Sequence, residues 1–138
     1  MMTEEAKRRF MVLVEQVFNR GDIDVADDLV AEDFYNHEAP DSPGPEGFKA
    51  SAVWLRSAFP DYRAEVQQLV VEGDLIVARL LVSGTHRGEF LGAPPTGRSF
   101  SVQHIHMYRI EDGKLAEHWA CRDDLGQLTQ LGLLPKGS

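Results

Sequence analysis

Apolar residues recur at helical spacing early in the chain and at strand spacing later, which orders the expected elements. Phe10, Leu13, Val14, Val17 and Phe18 predict a first helix. Thr3 is its expected N-cap, Glu4 and Glu5 suit the positive end of its dipole, and Asn19-Arg20-Gly21 stops it. Val25, Ala26, Leu29 and Val30 predict a short second helix, and Phe34-Tyr35-Asn36-His37 a brief strand. Three prolines and a glycine make residues 38–45 a loop. Phe48, Ala52, Leu55, Ala58 and Phe59 then predict a third helix closed by Pro60.

Everything further on alternates as sheet. The expected strands are Tyr62 to Glu72, Leu75 to Arg87, Phe100 to Ile110 and Lys114 to Arg122, with hairpin signals at Gly73-Asp74 and Asp112-Gly113. The stretch Gly88 to Ser99 is too rich in glycine and proline to be strand. Asp123 or Asp124 caps a last helix, Leu125 to Leu131, and Asp124 with Gln127 has capping-box spacing. Helices first and antiparallel strands later predict an α+β fold with the helices on one sheet face.

Composition narrows the classes. A chain of 138 residues fits one domain, 1–138, with no repeat or internal linker. The net charge of −8 argues against nucleic acid and anionic membranes as partners, since both attract basic faces. The single cysteine, Cys121, excludes an internal disulfide and fits a reducing compartment; alternation turns it away from His118 and Arg122, into packing. With no basic-then-apolar leader and no run long enough to span a bilayer, a cytoplasmic protein is expected. The glycines near Gly84, Gly88 and Gly92 are not followed by Lys-Ser or Lys-Thr, so no phosphate loop is expected.

Three of the five histidines fall in the last two strands. His104 and His106 share one face of their strand, and His118, Ala120 and Arg122 one face of the next. A three-residue hairpin loop with a glycine bulge would pair Ile110 with Lys114, setting His106 opposite His118 and His104 opposite Ala120. One face would then carry three imidazoles and a guanidinium, and a one-residue slip would separate the two histidine sets. Imidazoles titrate near neutrality and suit proton transfer to carbon or oxygen. Arg122 could hold a developing enolate or carboxylate by a forked hydrogen bond. Against this stands a polar sheet face whose histidines bond only one another and water. The same three histidines have the number and spacing of a zinc site with an open position. No second shell is evident by spacing and Arg122 disfavours a cation, so no metal and no cofactor is expected. Asn36 and His37 precede the proline-rich loop and are candidates for the pocket mouth, while Asp123 and Asp124 read as caps rather than acids.

The stretch Phe90-Leu91-Gly92-Ala93-Pro94-Pro95-Thr96-Gly97-Arg98 resembles the loop of SnoaL-like polyketide cyclases, in which leucine, glycine and a variable residue precede Pro-Pro-Thr. Arg109-Ile110-Glu111-Asp112-Gly113-Lys114-Leu115 and Glu117-His118-Trp119 resemble that family's final hairpin, and Gln130-Leu131-Gly132 the end of its last helix. The resemblance implies a cone-shaped α+β barrel of the nuclear transport factor 2-like, or cystatin-like, type. A curved antiparallel sheet packs there on N-terminal helices around a hydrophobic pocket, in homodimers or homotetramers. Founding members close the last ring of aromatic polyketides by an intramolecular aldol reaction on a methyl ester, without cofactor or metal. An aspartate on the last strand takes the proton there, aided by a histidine and an asparagine. Carried across, the asparagine falls on Asn36, the assisting histidine on His106, a pocket glutamine on His104 and a last-strand histidine on His118. The aspartate falls on Ala120, which cannot move a proton.

Two functions follow. The first is a proton-transfer enzyme (cyclase, isomerase or dehydratase) on a hydrophobic carbonyl compound. His106 would be its base or acid, His118 the partner, His104 and Asn36 oxygen ligands, and Arg122 an anion anchor. The second is a non-catalytic pocket for a small apolar ligand, in keeping with the lost aspartate and with the independence of fold and function.

Overall fold

The computed structural model describes residues 3–134. Helix α1 (Thr3–Leu13) runs on as a π-helical segment, Val14–Asn19; a 3-10 turn (Ile23–Val25), α2 (Ala26–Leu29) and strand β1 (Val30–Asn36) follow. Next come α3 (Gly44–Ala58), β2 (Arg63–Glu72), β3 (Leu75–Thr85), β4 (Ser99–Glu111), β5 (Lys114–Arg122) and α4 (Asp124–Leu131). The five strands form one sheet in the order β1-β5-β4-β3-β2, antiparallel except for β1, which runs parallel to β5. The α+β class expected from the residues is the class observed, and the all-antiparallel sheet is corrected at this edge. A parallel neighbour needs a long crossover, and here the whole of α3 and three strands separate β1 from β5.

Several boundaries also differ. Thr3 is itself helical rather than a cap. Val30 opens β1 instead of closing a helix, and His37 lies just past the strand. The proline-rich loop ends sooner, because Pro45 enters the first turn of α3, where its missing N–H is no loss. Strand β3 stops at Thr85. Asp123 alone caps α4, its carboxylate accepting the Gly126 N–H at 2.8 Å.

The core lies between the concave sheet face and the helices. Phe10, Leu13 and Val17 from the first helical stretch, Phe48 and Ala52 from α3, and Phe34 from β1 are all buried. Phe34 is fully buried, a contribution on the order of 2–3 kcal/mol for such a ring. Asn19 ties the π-helical segment to the sheet: its Nδ2 donates to the Ala64 carbonyl at 3.0 Å and its Oδ1 accepts the Ala64 N–H at 2.7 Å. Between β3 and β4, the loop carrying Pro94 and Pro95 is pinned down. Arg87 and Gly88 donate to the Ala58 carbonyl, Phe90 packs on Trp54 and Phe59, and the Thr96 N–H donates to His86 Nδ1 at 3.2 Å. The described residues include no helix long and apolar enough to cross a membrane.

The β4–β5 hairpin decides what shares the concave face. Its turn is Asp112-Gly113, both left-handed at φ 51° and 78°, so Glu111 pairs with Lys114 across a two-residue loop. A bulge follows: Ile110 pairs with Leu115 but Arg109 with Glu117, leaving Ala116 as the extra residue. The expected register is thereby corrected twice in the same direction. His106 stands opposite Ala120, His104 opposite Arg122, and Tyr108 opposite His118. Two one-residue shifts preserve parity, so the histidines still face the same way.

Candidate active site

Alternation along β4 turns His104, His106 and Tyr108 inward; on β5 it does the same for His118, Ala120 and Arg122. His104 is 7% exposed and His118 4%. The rings are joined nitrogen to nitrogen. His118 Nδ1 lies 2.8 Å from Asn36 Oδ1, His118 Nε2 lies 2.8 Å from His106 Nδ1, and His106 Nε2 lies 3.3 Å from His104 Nδ1. Asn36, itself buried at the end of β1, also accepts the Glu38 N–H at 2.9 Å through the same oxygen. The parallel β1–β5 pairing, which sets Asn36 beside His118, makes this contact possible.

Electrostatics keep this chain neutral. Burial first, and the Arg122 guanidinium second, lower His104 to about 4 and His118 to about 3. His106 is pushed well below the ordinary histidine range by burial, then by His118, Arg122 and His104. Arg122 donates to Glu38 Oε1 at 3.0 Å, a pair left partly open to solvent. The anion anchor expected at Arg122 therefore already shares its charge with one carboxylate.

The structure thus brings together Asn36, His104, His106, His118 and Arg122. His37 is not among them; it points outward, stacked on Trp119 with ring centroids 4.9 Å apart and bonded to Glu117 at 2.6 Å. Cys121, expected in packing, is exposed near the end of β5, two residues past the Trp119 ring that His37 covers. Among the described residues, no group of three His, Cys, Asp or Glu side chains is arranged to hold a metal ion.

Two members of the site escaped sequence reading. Tyr108 stacks on His118 at 4.4 Å, and Tyr62 is buried at the foot of β2. Burial raises both phenols far above their usual range, while Arg122 draws both back down. For Tyr108 the signal was present, since it lies two residues from His106 on the same face. A separate cleft at the hairpin end of the cone, lined by Ala6, Phe10, Leu13, Ile76 and Leu115, includes none of these groups.

A curved five-stranded sheet with helices over a polar cluster defines a cone-shaped α+β fold. Residues 8–131 match the SnoaL-like polyketide cyclase family, and the chain belongs to it. It is 36% identical over 123 residues to aklanonic acid methyl ester cyclase DauD of Streptomyces sp. strain C5, covering 85% of this chain and 76% of that one. Nogalonic acid methyl ester cyclase of Streptomyces nogalater is 34% identical over 120 residues, covering 83% and 89%. The structure of TsrD from Streptomyces laurentii superposes with a TM-score of 0.91 at 34% identity, covering 97% of this chain and 99% of that one. The protein is an enzyme of the cyclase type.

Proposed function

We propose that the protein catalyses cofactor-independent proton transfer on a hydrophobic carbonyl compound, a polyketide-derived ester being the class of substrate the cyclase relatives favour. The reaction is ring closure by intramolecular aldol addition: a C–H next to a carbonyl is deprotonated, and the enolate carbon attacks a second carbonyl. One observation carries this reading: three imidazoles, His104 and His118 buried and His106 half-buried between them, are hydrogen-bonded into a single chain. They stand where Ala120 leaves no carboxylate, directly across the β4–β5 ladder from His106. Neutral rings in a low-dielectric site can accept a proton and return it. Arg122, with the Tyr62 and Tyr108 phenols, supplies donors for the enolate oxygen.

The test is deuterium uptake at the acidic carbon of a panel of β-keto esters, followed by NMR in heavy water. Wild type is expected to catalyse uptake, and His106→Ala and His118→Ala to lower it at least tenfold. Uptake no faster than buffer across the panel would turn the reading toward a ligand-binding pocket.

A further inference from the structure

We infer that His104, through its Nε2, is the catalytic residue that takes the substrate proton, and that Asn36, His118 and His106 are positioning residues that hold its ring in the required tautomer. This rests on the proton-transfer reading above and says which nitrogen performs it. The argument begins at the far end of the chain. The Glu38 N–H donates to Asn36 Oδ1, which identifies that atom as the amide oxygen, an acceptor. His118 Nδ1, at 2.8 Å from the same oxygen, must therefore carry a hydrogen. A neutral imidazole has only one N–H, so His118 Nε2 is an acceptor and His106 Nδ1 donates to it. By the same step His106 Nε2 accepts from His104 Nδ1.

The polarity propagates without a break, and it ends at His104 Nε2, a lone pair with no hydrogen-bond partner among the described residues. Reversing His118 would set two lone pairs against each other at 2.8 Å at Asn36, reversing His106 would do so at 2.8 Å toward His118, and reversing His104 would do so at 3.3 Å toward His106. His106, the family-matched histidine, has both nitrogens engaged, so a substrate proton cannot reach it without first breaking the chain.

Position supports the assignment. His104 pairs across the sheet with Arg122, so an enolate formed beside His104 lies next to a guanidinium. The charged and titratable groups bearing on His104 are Arg122 and Asp123 from β5 and its end, and His106 from its own strand. Burial and Arg122 leave it as basic as an ordinary carboxylate, the kind of group absent at Ala120. In the step itself, the C–H proton moves to His104 Nε2 and the C–H electron pair becomes the enolate. The imidazolium keeps its Nδ1–H on His106 and returns the Nε2 proton to the alkoxide that ring closure generates. One proton leaves carbon and one reaches oxygen, with no oxidant or reductant.

Two measurements test this. Long-range proton–nitrogen NMR of the intact protein is expected to show His104, His106 and His118 all protonated at Nδ1 alone between pH 8 and 6. In the β-keto ester assay, His104→Gln, whose amide cannot take a proton, is expected to lose at least 100-fold, more than His106→Gln loses. A hydrogen on His104 Nε2, or exchange by His104→Gln within threefold of wild type, would overturn the assignment while leaving wild-type exchange, and the proposed function, standing. Absence of wild-type exchange would remove both.

Discussion

Acidification from pH 7 to pH 5 is expected to remove a large part of the folding stability, and the histidine chain sets the size of the loss. In the unfolded chain a histidine titrates at about 6.5, whereas in the fold His104 titrates at about 4 and His118 at about 3. Above pH 6.5 both states are neutral and the contribution is complete. As the pH falls below that value the unfolded chain binds protons the native rings refuse, so stability declines until the folded pKa is reached. At pH 5 each ring has cost about 2 kcal/mol, about 4 kcal/mol for the pair. His106, lowered by the same burial, acts in the same direction. The Glu15 and Glu117 carboxylates, lowered from 4.5, titrate beneath this window. The assay is urea unfolding followed by tryptophan fluorescence from pH 7.5 to 5 at one protein concentration. His118→Gln should take about 2 kcal/mol out of the pH dependence. A wild-type stability that is flat within about 1 kcal/mol between pH 7 and 5 would refute the reasoning, since it would mean the rings charge freely in the fold.

Three further outcomes are expected. Arg122→Met removes the second-largest cause of the His104 shift, so the NMR titration midpoint of His104 should rise from about 4; an unchanged midpoint would show that burial acts alone. Asn19→Ala breaks both bonds to Ala64 and leaves that backbone unpaired, at an expected loss of about 1–3 kcal/mol in chemical denaturation. Gly88→Ala would drive its Cβ into the Ser57 carbonyl and lift the Pro94–Pro95 loop from α3, lowering the urea midpoint by the equivalent of about 1–3 kcal/mol.

Much of this fold could be read from local pattern. Period and punctuation located β2, β4 and β5 to within a residue or so, because Gly73 and Gly113 adopt left-handed turns that other residues resist. The errors fall where tertiary contact overrides local preference. Val30 suits the helix before it as well as the strand, and only pairing with Leu115 makes it the start of β1. The parallel edge was invisible for the same reason, since no local signal distinguishes a strand that pairs with its sequence neighbour from one that crosses the sheet. Cys121 alternates away from the site as expected, but alternation says nothing about whether the outer face is covered.

The site divides along the same line. Which residues face each other depends on parity alone, and parity survived a register error of two; hence the set His104, His106, His118 and Arg122 was legible. Which of them bond depends on the register itself, set by the two-residue turn at Asp112-Gly113 and the extra residue Ala116. A three-residue loop without that bulge would have paired His106 directly with His118 across the ladder. The observed offset instead lets His106 bridge diagonally from His118 to His104. That diagonal is what carries the polarity from Asn36 out to Arg122's neighbour. An alanine at position 120 is then no isolated loss: opposite His106 it adds no polar group that could compete for the ring nitrogens. A carboxylate at that position, within reach of His106, would accept its N–H and break the line of donors. On the proposed mechanism the imidazole chain and Ala120 together stand in for the carboxylate that the family resemblance implies at position 120.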